Sequence, residues 1–360
     1  MNRSVDLPGP KYCVWELTLA CNMRCLHCGS YAGGARSGEM SLEQLLGVAD
    51  QLAEAGVRRL TLSGGEPLLR KGWEQIAERL IRKGVHVGMI SNGYYMSENV
   101  PKLAELKKLD GPGSLEIVAM SVDGLKDTHD SFRRVPGSFD RIAEAFGRLK
   151  AAGIKTAAIT SVSTLNLPQL EEMYKALLEW RVDAWQLQTL FGGGRMREHP
   201  ELMPGPAGVE RTAEFIAAKR RLKGPMLVFP ADCVGYFSEL EYDIRPNGWD
   251  GCQAGLISVG IEANGNVKGC LSLFPEARDS NPFVEGNLRE NTFKEIWNKP
   301  GAFAYNREFR PSRAEGFCRS CLHLNRCRCG CSAQAYFASG SVYNNPFCIL
   351  AHRASGRQNR

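Results

Sequence analysis

The amino-acid sequence predicts an α/β protein, a partial (β/α)6 TIM-like barrel followed by a small cysteine-rich domain. Apolar, β-branched runs alternate with helical 3.6-residue patterns across residues 12–190, and strand–helix alternation at that spacing builds a parallel sheet. The six strand–helix units in that stretch are too few for a closed eight-stranded barrel, so the sheet is expected to stay open. The thirteen cysteines fall into two groups, at 21–28 and 252–348, with only Cys13 and Cys233 outside them.

Strands are expected at residues 12–20, 59–63, 86–91, 115–122, 155–162 and 184–190. Helices are expected between them at 42–55, 73–82, 100–108, 139–152 and 170–180. Gly56, Gly84 and Gly153 sit just after the last periodic residue of three of these helices, where helices commonly end. "FGGGR" at 191–195 opens a glycine-rich loop, a helix is expected over 208–221, and a mixed segment follows. Beyond residue 251 come short strands and turns. "ISVGIEANGNVKGC" reads as a hairpin turning at Asn264-Gly265, and an amphipathic helix follows near 292–297. This gives a core at 11–225, a connecting segment at 226–250, a cysteine-rich domain at 251–350 and a tail at 351–360. Trp180 and Trp185 read as core residues.

Composition narrows the function. With 43% hydrophobic and 23% charged residues, the chain has the balance of an ordinary globular protein. No apolar run is long enough to cross a membrane. Glu16 and Thr18 interrupt the only early apolar stretch, so no signal peptide is expected and the cytoplasm is the expected location. The formal charge of +6 comes without Lys/Arg blocks or basic–aromatic interleaving, so no nucleic-acid partner is expected. In a reducing compartment, clustered cysteines point to metal rather than disulfides.

Cys21-x3-Cys25-x2-Cys28 offers three thiolates on one short loop directly after the first strand. Thiolates suit zinc or iron–sulfur clusters. A structural zinc wants four closed ligands, and here the only nearby fourth is His27, squeezed between two of the cysteines. A cluster held by three thiolates instead leaves one iron open to another ligand. "SGGEP" (63–67), "SNG" (91–93) and "SVDG" (121–124) fall after the next three strands, and strand C-terminal ends are where such folds carry their chemistry.

Together these motifs resemble those of radical S-adenosylmethionine (SAM) enzymes. The cysteine loop matches their CxxxCxxC signature, with His27 at the position before the last cysteine where the family places an aromatic or histidine. The resemblance implies a [4Fe–4S] cluster on Cys21, Cys25 and Cys28 whose open iron binds SAM. The reduced cluster then cleaves SAM to methionine and a 5′-deoxyadenosyl radical that abstracts a substrate hydrogen. It also implies that Gly64, Gly65 and Glu66 meet the SAM amine, and that Ser91, Asn92, Ser121 and Asp123 lie near its carboxylate and ribose. Arg133 resembles an arginine that the family aims at the carboxylate, a partner suited to a guanidinium fork.

The second group resembles the SPASM domain, a C-terminal extension that carries auxiliary iron–sulfur clusters. A zinc ribbon is the other reading of its C-x2-C pair. By the family pattern Cys318, Cys321, Cys327 and Cys348 hold an outer auxiliary cluster, and Cys252, Cys270 and Cys331 an inner one. The family's usual extra cysteine just before the first is absent from residues 246–251, so the fourth inner ligand is expected to be Cys233, with Asp250 or an open iron as alternatives. Cys329 reads as a spare buried thiol and Cys13 as packing. Three clusters ligated this way add a charge of about −5, which offsets the basic balance of the chain.

What the resemblance implies is a radical SAM oxidoreductase that modifies, and most simply cross-links, a ribosomally made peptide or protein. An electron donor such as flavodoxin or ferredoxin is implied as a partner. Eleven residues precede the first strand, so leader binding is expected to use a separate protein or another surface. Sulfatase maturases carry an aspartate directly after the cysteine matching Cys270, and Leu271 stands there instead. The runner-up is an enzyme of cofactor biosynthesis, acting on a tetrapyrrole or quinone. From another class, an iron–sulfur electron-transfer protein would show no SAM turnover.

Overall fold

The computed structural model describes residues 8–274 and 281–358. Seven parallel strands follow one another across the sheet: β1 (Tyr12–Glu16), β2 (Arg59–Ser63), β3 (His86–Ser91), β4 (Ser114–Ser121), β5 (Thr156–Val162), β6 (Ala184–Thr189) and β7 (Leu227–Pro230). Between them run α1 (Leu42–Glu54), α2 (Trp73–Arg82), α3 (Met96–Lys107), α4 (Lys126–Arg133), α5 (Ser138–Ala151), α6 (Leu170–Glu179) and α7 (Gly205–Arg221). Each helix turns an apolar stripe to the sheet; Leu45, Val48, Ala49 and Leu52 of α1 are buried at the spacing of one helix face. Ser41 caps α1 through a capping box with Gln44.

The partial barrel is wider than its sequence pattern. β7 lies in the segment read as a connection and pairs in parallel with β6. On the other side, β8 (Ser258–Ile261) pairs in parallel with β1, and β9 (Asn266–Lys268) and β10 (Val284–Asn287) continue the sheet antiparallel. The order is β10-β9-β8-β1-β2-β3-β4-β5-β6-β7. The predicted hairpin is present, but it is part of the barrel sheet rather than a separate layer. β1 ends at Glu16, earlier than expected, because residues 17–33 leave the sheet to form the cysteine loop. Trp185 is fully buried, its Nε1 donating to Thr160 Oγ1 at 2.8 Å, while Trp180 is half-buried and packs on Phe139 and Phe146.

Buried ions fasten the hairpin to β1. Glu16 accepts from Arg36 Nε at 2.5 Å and Nη2 at 2.9 Å, and from the Ala263 amide at 3.2 Å. Glu262 in the hairpin turn pairs with Lys268 at 2.7 Å and with Arg36 at 3.4 Å. Removing Glu16 takes from Arg36 its closest carboxylate and leaves it only the longer contact to Glu262 at 3.4 Å. Glu16→Ala is therefore expected to lower unfolding stability by about 3 kcal/mol; denaturant titration checks this, and a loss under about 1 kcal/mol, the scale of a surface pair, would contradict it.

Candidate functional site

The cysteine loop is built by contacts that the motif spacing alone does not reveal. Gly64 and Gly65 pack against the backbone that leads into Cys21. A Cβ on Gly64, whose φ is +151°, would lie 2.3 Å from Thr18 O, and one on Gly65 2.4 Å from Ala20 O. The Gly65 amide donates to Thr18 O at 2.8 Å and the Glu66 amide to Ala20 O at 2.9 Å. These glycines are thus required by the loop itself.

A second loop clamps the first from above. A Cβ on Gly194 would sit 2.2 Å from Gly29 O, and Arg195 donates through Nε to Cys25 O at 2.9 Å and through Nη1 to Ala32 O at 2.9 Å. The sequence offered only the glycine run as a sign of this role.

Donors converge on the three sulfurs. Met23 N–H points to Cys21 Sγ at 3.4 Å and Ala32 N–H to Cys28 Sγ at 3.3 Å. Asn92 Nδ2 lies 3.7 Å from Cys21 Sγ, and Arg133 Nη1 3.8 Å from Cys25 Sγ. Burial raises the Cys21 thiol to about 11 and raises Cys25 as well, with Arg133 opposing the rise at Cys25. Thiols this buried ionise when a cationic group takes their charge, and the amide and guanidinium donors suit sulfurs that carry it.

Glu66 is fully buried and organises the third strand end. It accepts from Ser91 Oγ at 2.9 Å, from the Asn92 amide at 2.8 Å and from the Leu68 amide at 3.1 Å. Asn92 in turn donates to Asn22 Oδ1 at 2.8 Å, so "SGGEP" and "SNG" are one hydrogen-bonded unit beside Cys21.

Asp123 and Arg133 form a buried ion pair. Asp123 is fully buried, accepting from the Ser161 amide at 2.8 Å and from Arg133 Nε at 2.7 Å. Arg133 spends its fork on Asp123 and its Nη1 on Cys25. Their geometry is an ion pair beside the cysteine loop. Ser121 ends β4, half-buried, with no side-chain hydrogen bond among the described residues. His27 stacks on Phe132 at 4.3 Å, and burial lowers its pKa to about 4, so it is neutral at physiological pH.

The second cysteine group falls into two sets in space. Cys318, Cys321, Cys327 and Cys348 line one small cavity, together with Cys329, Tyr236 and Leu324. Cys329 donates to Tyr343 O at 3.2 Å. Cys252, Cys270 and Cys331 act electrostatically on one another as a separate inner set, with Cys233 near Cys331. Asp250 is exposed and pairs with Arg326 at 3.3 Å, beside the outer cysteines. Cys13 is packed in the barrel core.

Thiolates in such numbers suit an iron–sulfur cluster, as they do zinc. Residues 15–180 match the radical SAM superfamily, and residues 252–322 match an iron–sulfur cluster-binding domain, SPASM. A mycofactocin maturase MftC from Mycolicibacterium smegmatis is 30% identical over 92% of this chain and 80% of its own length.

The chain belongs to the radical SAM/SPASM family.

An AdoMet-dependent heme synthase from Methanosarcina barkeri is 29% identical over 94% of this chain and 96% of its own length. The solved structure of Streptococcus suis SuiB bound to S-adenosylmethionine shares the fold, with a TM-score of 0.72 and 16% identity over 94% of this chain and 76% of that one. This radical SAM enzyme uses [4Fe–4S] clusters and SAM. Cys21, Cys25 and Cys28 are the residues that would hold the SAM cluster, on the loop that Arg195, Gly64 and Gly65 shape.

Burial also raises the Glu66 carboxyl to about 7, against the opposing hydrogen bonds of Asn92, Leu68 and Ser91. The fold therefore binds this proton more tightly than the unfolded chain does. The stability it contributes is complete below the usual carboxylate value and is lost as pH rises through about 7. In metal-free protein, the stability difference between parent and Glu66→Gln is expected to change by about 3 kcal/mol between pH 4.5 and 8, in the direction that favours the glutamine variant at the higher pH. Denaturant titrations across that range check it, and a pH-independent difference would contradict it.

Proposed function

We propose that this radical SAM/SPASM enzyme oxidatively modifies, by cross-linking, a side chain of a ribosomally made peptide or protein. The observation that carries the reading is the 30% identity to a mycofactocin maturase over 92% of the chain. When bound, the reduced cluster and SAM supply a 5′-deoxyadenosyl radical that removes a hydrogen atom from substrate. The chain's own residues hold the loop and shape the space above it. Phe274 packs against Gly29 and Gly193, and Phe337 against Gly193 and Phe191, so an aromatic wall stands beside the SAM-cluster loop. Such a wall excludes water from a radical and suits an apolar side chain.

The remaining partners belong to the same proposal. A flavodoxin- or ferredoxin-type protein supplies the electron, a separate protein or another surface of the enzyme grips the leader, and the enzyme works in the cytoplasm. No helix among the described residues is long and apolar enough to cross a membrane. Colinearity with a heme synthase over 96% of that protein's length favours a second reading, action on a tetrapyrrole.

Anaerobic reconstitution with iron, sulfide, dithionite and SAM is expected to release 5′-deoxyadenosine, and no release would eliminate radical chemistry. With a short peptide encoded beside the gene, the expected product has lost two hydrogens and carries a new side-chain bond. Release of 5′-deoxyadenosine that responds to a porphyrin and not to the peptide would overturn the peptide reading.

A further inference from the structure

The short helix Ala304–Arg307 is fastened to the backbone that carries the inner cysteines. Asn306 Nδ2 donates to Cys252 O at 2.6 Å and to Ala254 O at 2.8 Å. Arg307 Nε donates to Gly255 O at 2.7 Å. Tyr305, on the same helix, packs with Cys270 and Cys331 on the small core of Leu273, Phe283 and Ala333. The same three residues pack again on the core that contains Cys252. Phe283 meets the Tyr305 ring edge-on at 5.5 Å, which fixes the direction of the ring.

That direction brings the Tyr305 hydroxyl against the residue before Cys270. A Cβ on Gly269 would lie 2.2 Å from Tyr305 OH and 3.0 Å from the Gly255 amide nitrogen. Gly269 is not in the left-handed region, so close approach rather than backbone conformation requires the glycine. The hydroxyl oxygen is shut off from solvent and has no hydrogen-bond partner among the described residues. An unpaired buried hydroxyl is costly, and phenylalanine would fill the same space without that cost. An acceptor held by the inner thiols accounts for the hydroxyl. The inner set already attracts one donor, the Ser272 amide, which points to Cys270 Sγ at 3.4 Å.

We propose that Tyr305 donates a hydrogen bond to a sulfur of the inner auxiliary cluster and so raises that cluster's midpoint potential. The proposal rests on the reading that Cys252, Cys270 and Cys331 hold a four-iron cluster. A donor to cluster sulfur favours the reduced, more negative state. The proton stays on the phenol oxygen, and no bond to iron is made.

The test uses the full chain carrying Cys21→Ala, Cys25→Ala and Cys28→Ala, which leaves the auxiliary pair. The two clusters are titrated under controlled potential by electron paramagnetic resonance. Cys331→Ser, which exchanges an inner thiolate for oxygen, marks the signal that belongs to the inner cluster. Tyr305→Phe is expected to keep the iron content and leave the outer cluster unchanged. It is expected to lower the inner reduction constant about tenfold, a midpoint drop of about 59 mV. Electron–nuclear double resonance in H2O and D2O is expected to show one exchangeable-proton coupling fewer in that variant. An unchanged inner midpoint or unchanged couplings at full iron content would overturn the proposal, as would a shift confined to the outer cluster. Loss of inner iron, or of a visible phenolate-to-iron absorption, in Tyr305→Phe would mark a ligand instead of a donor and overturn it too. A background chain that holds only about four irons would remove the inner cluster itself, and with it the reading beneath the proposal.

Discussion

The parallel pairing of β1 with β8 is the interaction on which both cysteine groups depend. Tyr12 to Trp15 align with Ser258 to Ile261, so a segment almost 250 residues away in the chain becomes the barrel's next strand. The first cysteine loop follows directly from β1, and Cys252 and Cys270 flank the hairpin that starts with β8. Closing a chain loop that long carries a conformational cost, and the buried Glu16–Arg36–Glu262–Lys268 set is placed where it fixes the register. At the far edge, Gln334 and Tyr236 tie the C-terminal cysteines to β6 and β7. The C-terminal region thus spans the gap that the open barrel leaves.

Within that frame, charge is arranged for sulfur. Backbone amides, Asn92 and Arg133 face the first three cysteines, and Asp123 holds Arg133 in place without taking part itself. A buried carboxylate that orients a buried cation is costly alone and satisfied as a pair. Neutral His27, stacked on Phe132, adds packing without adding charge. Glu66 uses its oxygens to join two strand ends, so the motif's acid is structural.

Much of this was legible in the sequence because it depends on local periodicity and on cysteine spacing. The strand ends carrying "SGGEP", "SNG" and "SVDG" stand where alternation placed them, and the outer four thiols share one cavity. What escaped depends on contacts between distant segments. β7 is four residues long and reads as loop until β6 pairs with it. Arg195 looks like any exposed arginine until the glycine run folds it over Cys25. Arg133 and Asp123 carry familiar spacing, yet tertiary packing turns them towards each other.

The central claim is that three thiol sets, one of three cysteines and two auxiliary, each hold a four-iron cluster. Iron and acid-labile sulfide analysis with Mössbauer spectroscopy of the anaerobically purified chain tests it most directly. About twelve irons and twelve sulfides per chain, all in cubane clusters, is the result expected. Zinc in the cysteine sites, or about four irons with the C-terminal thiols free, would contradict it.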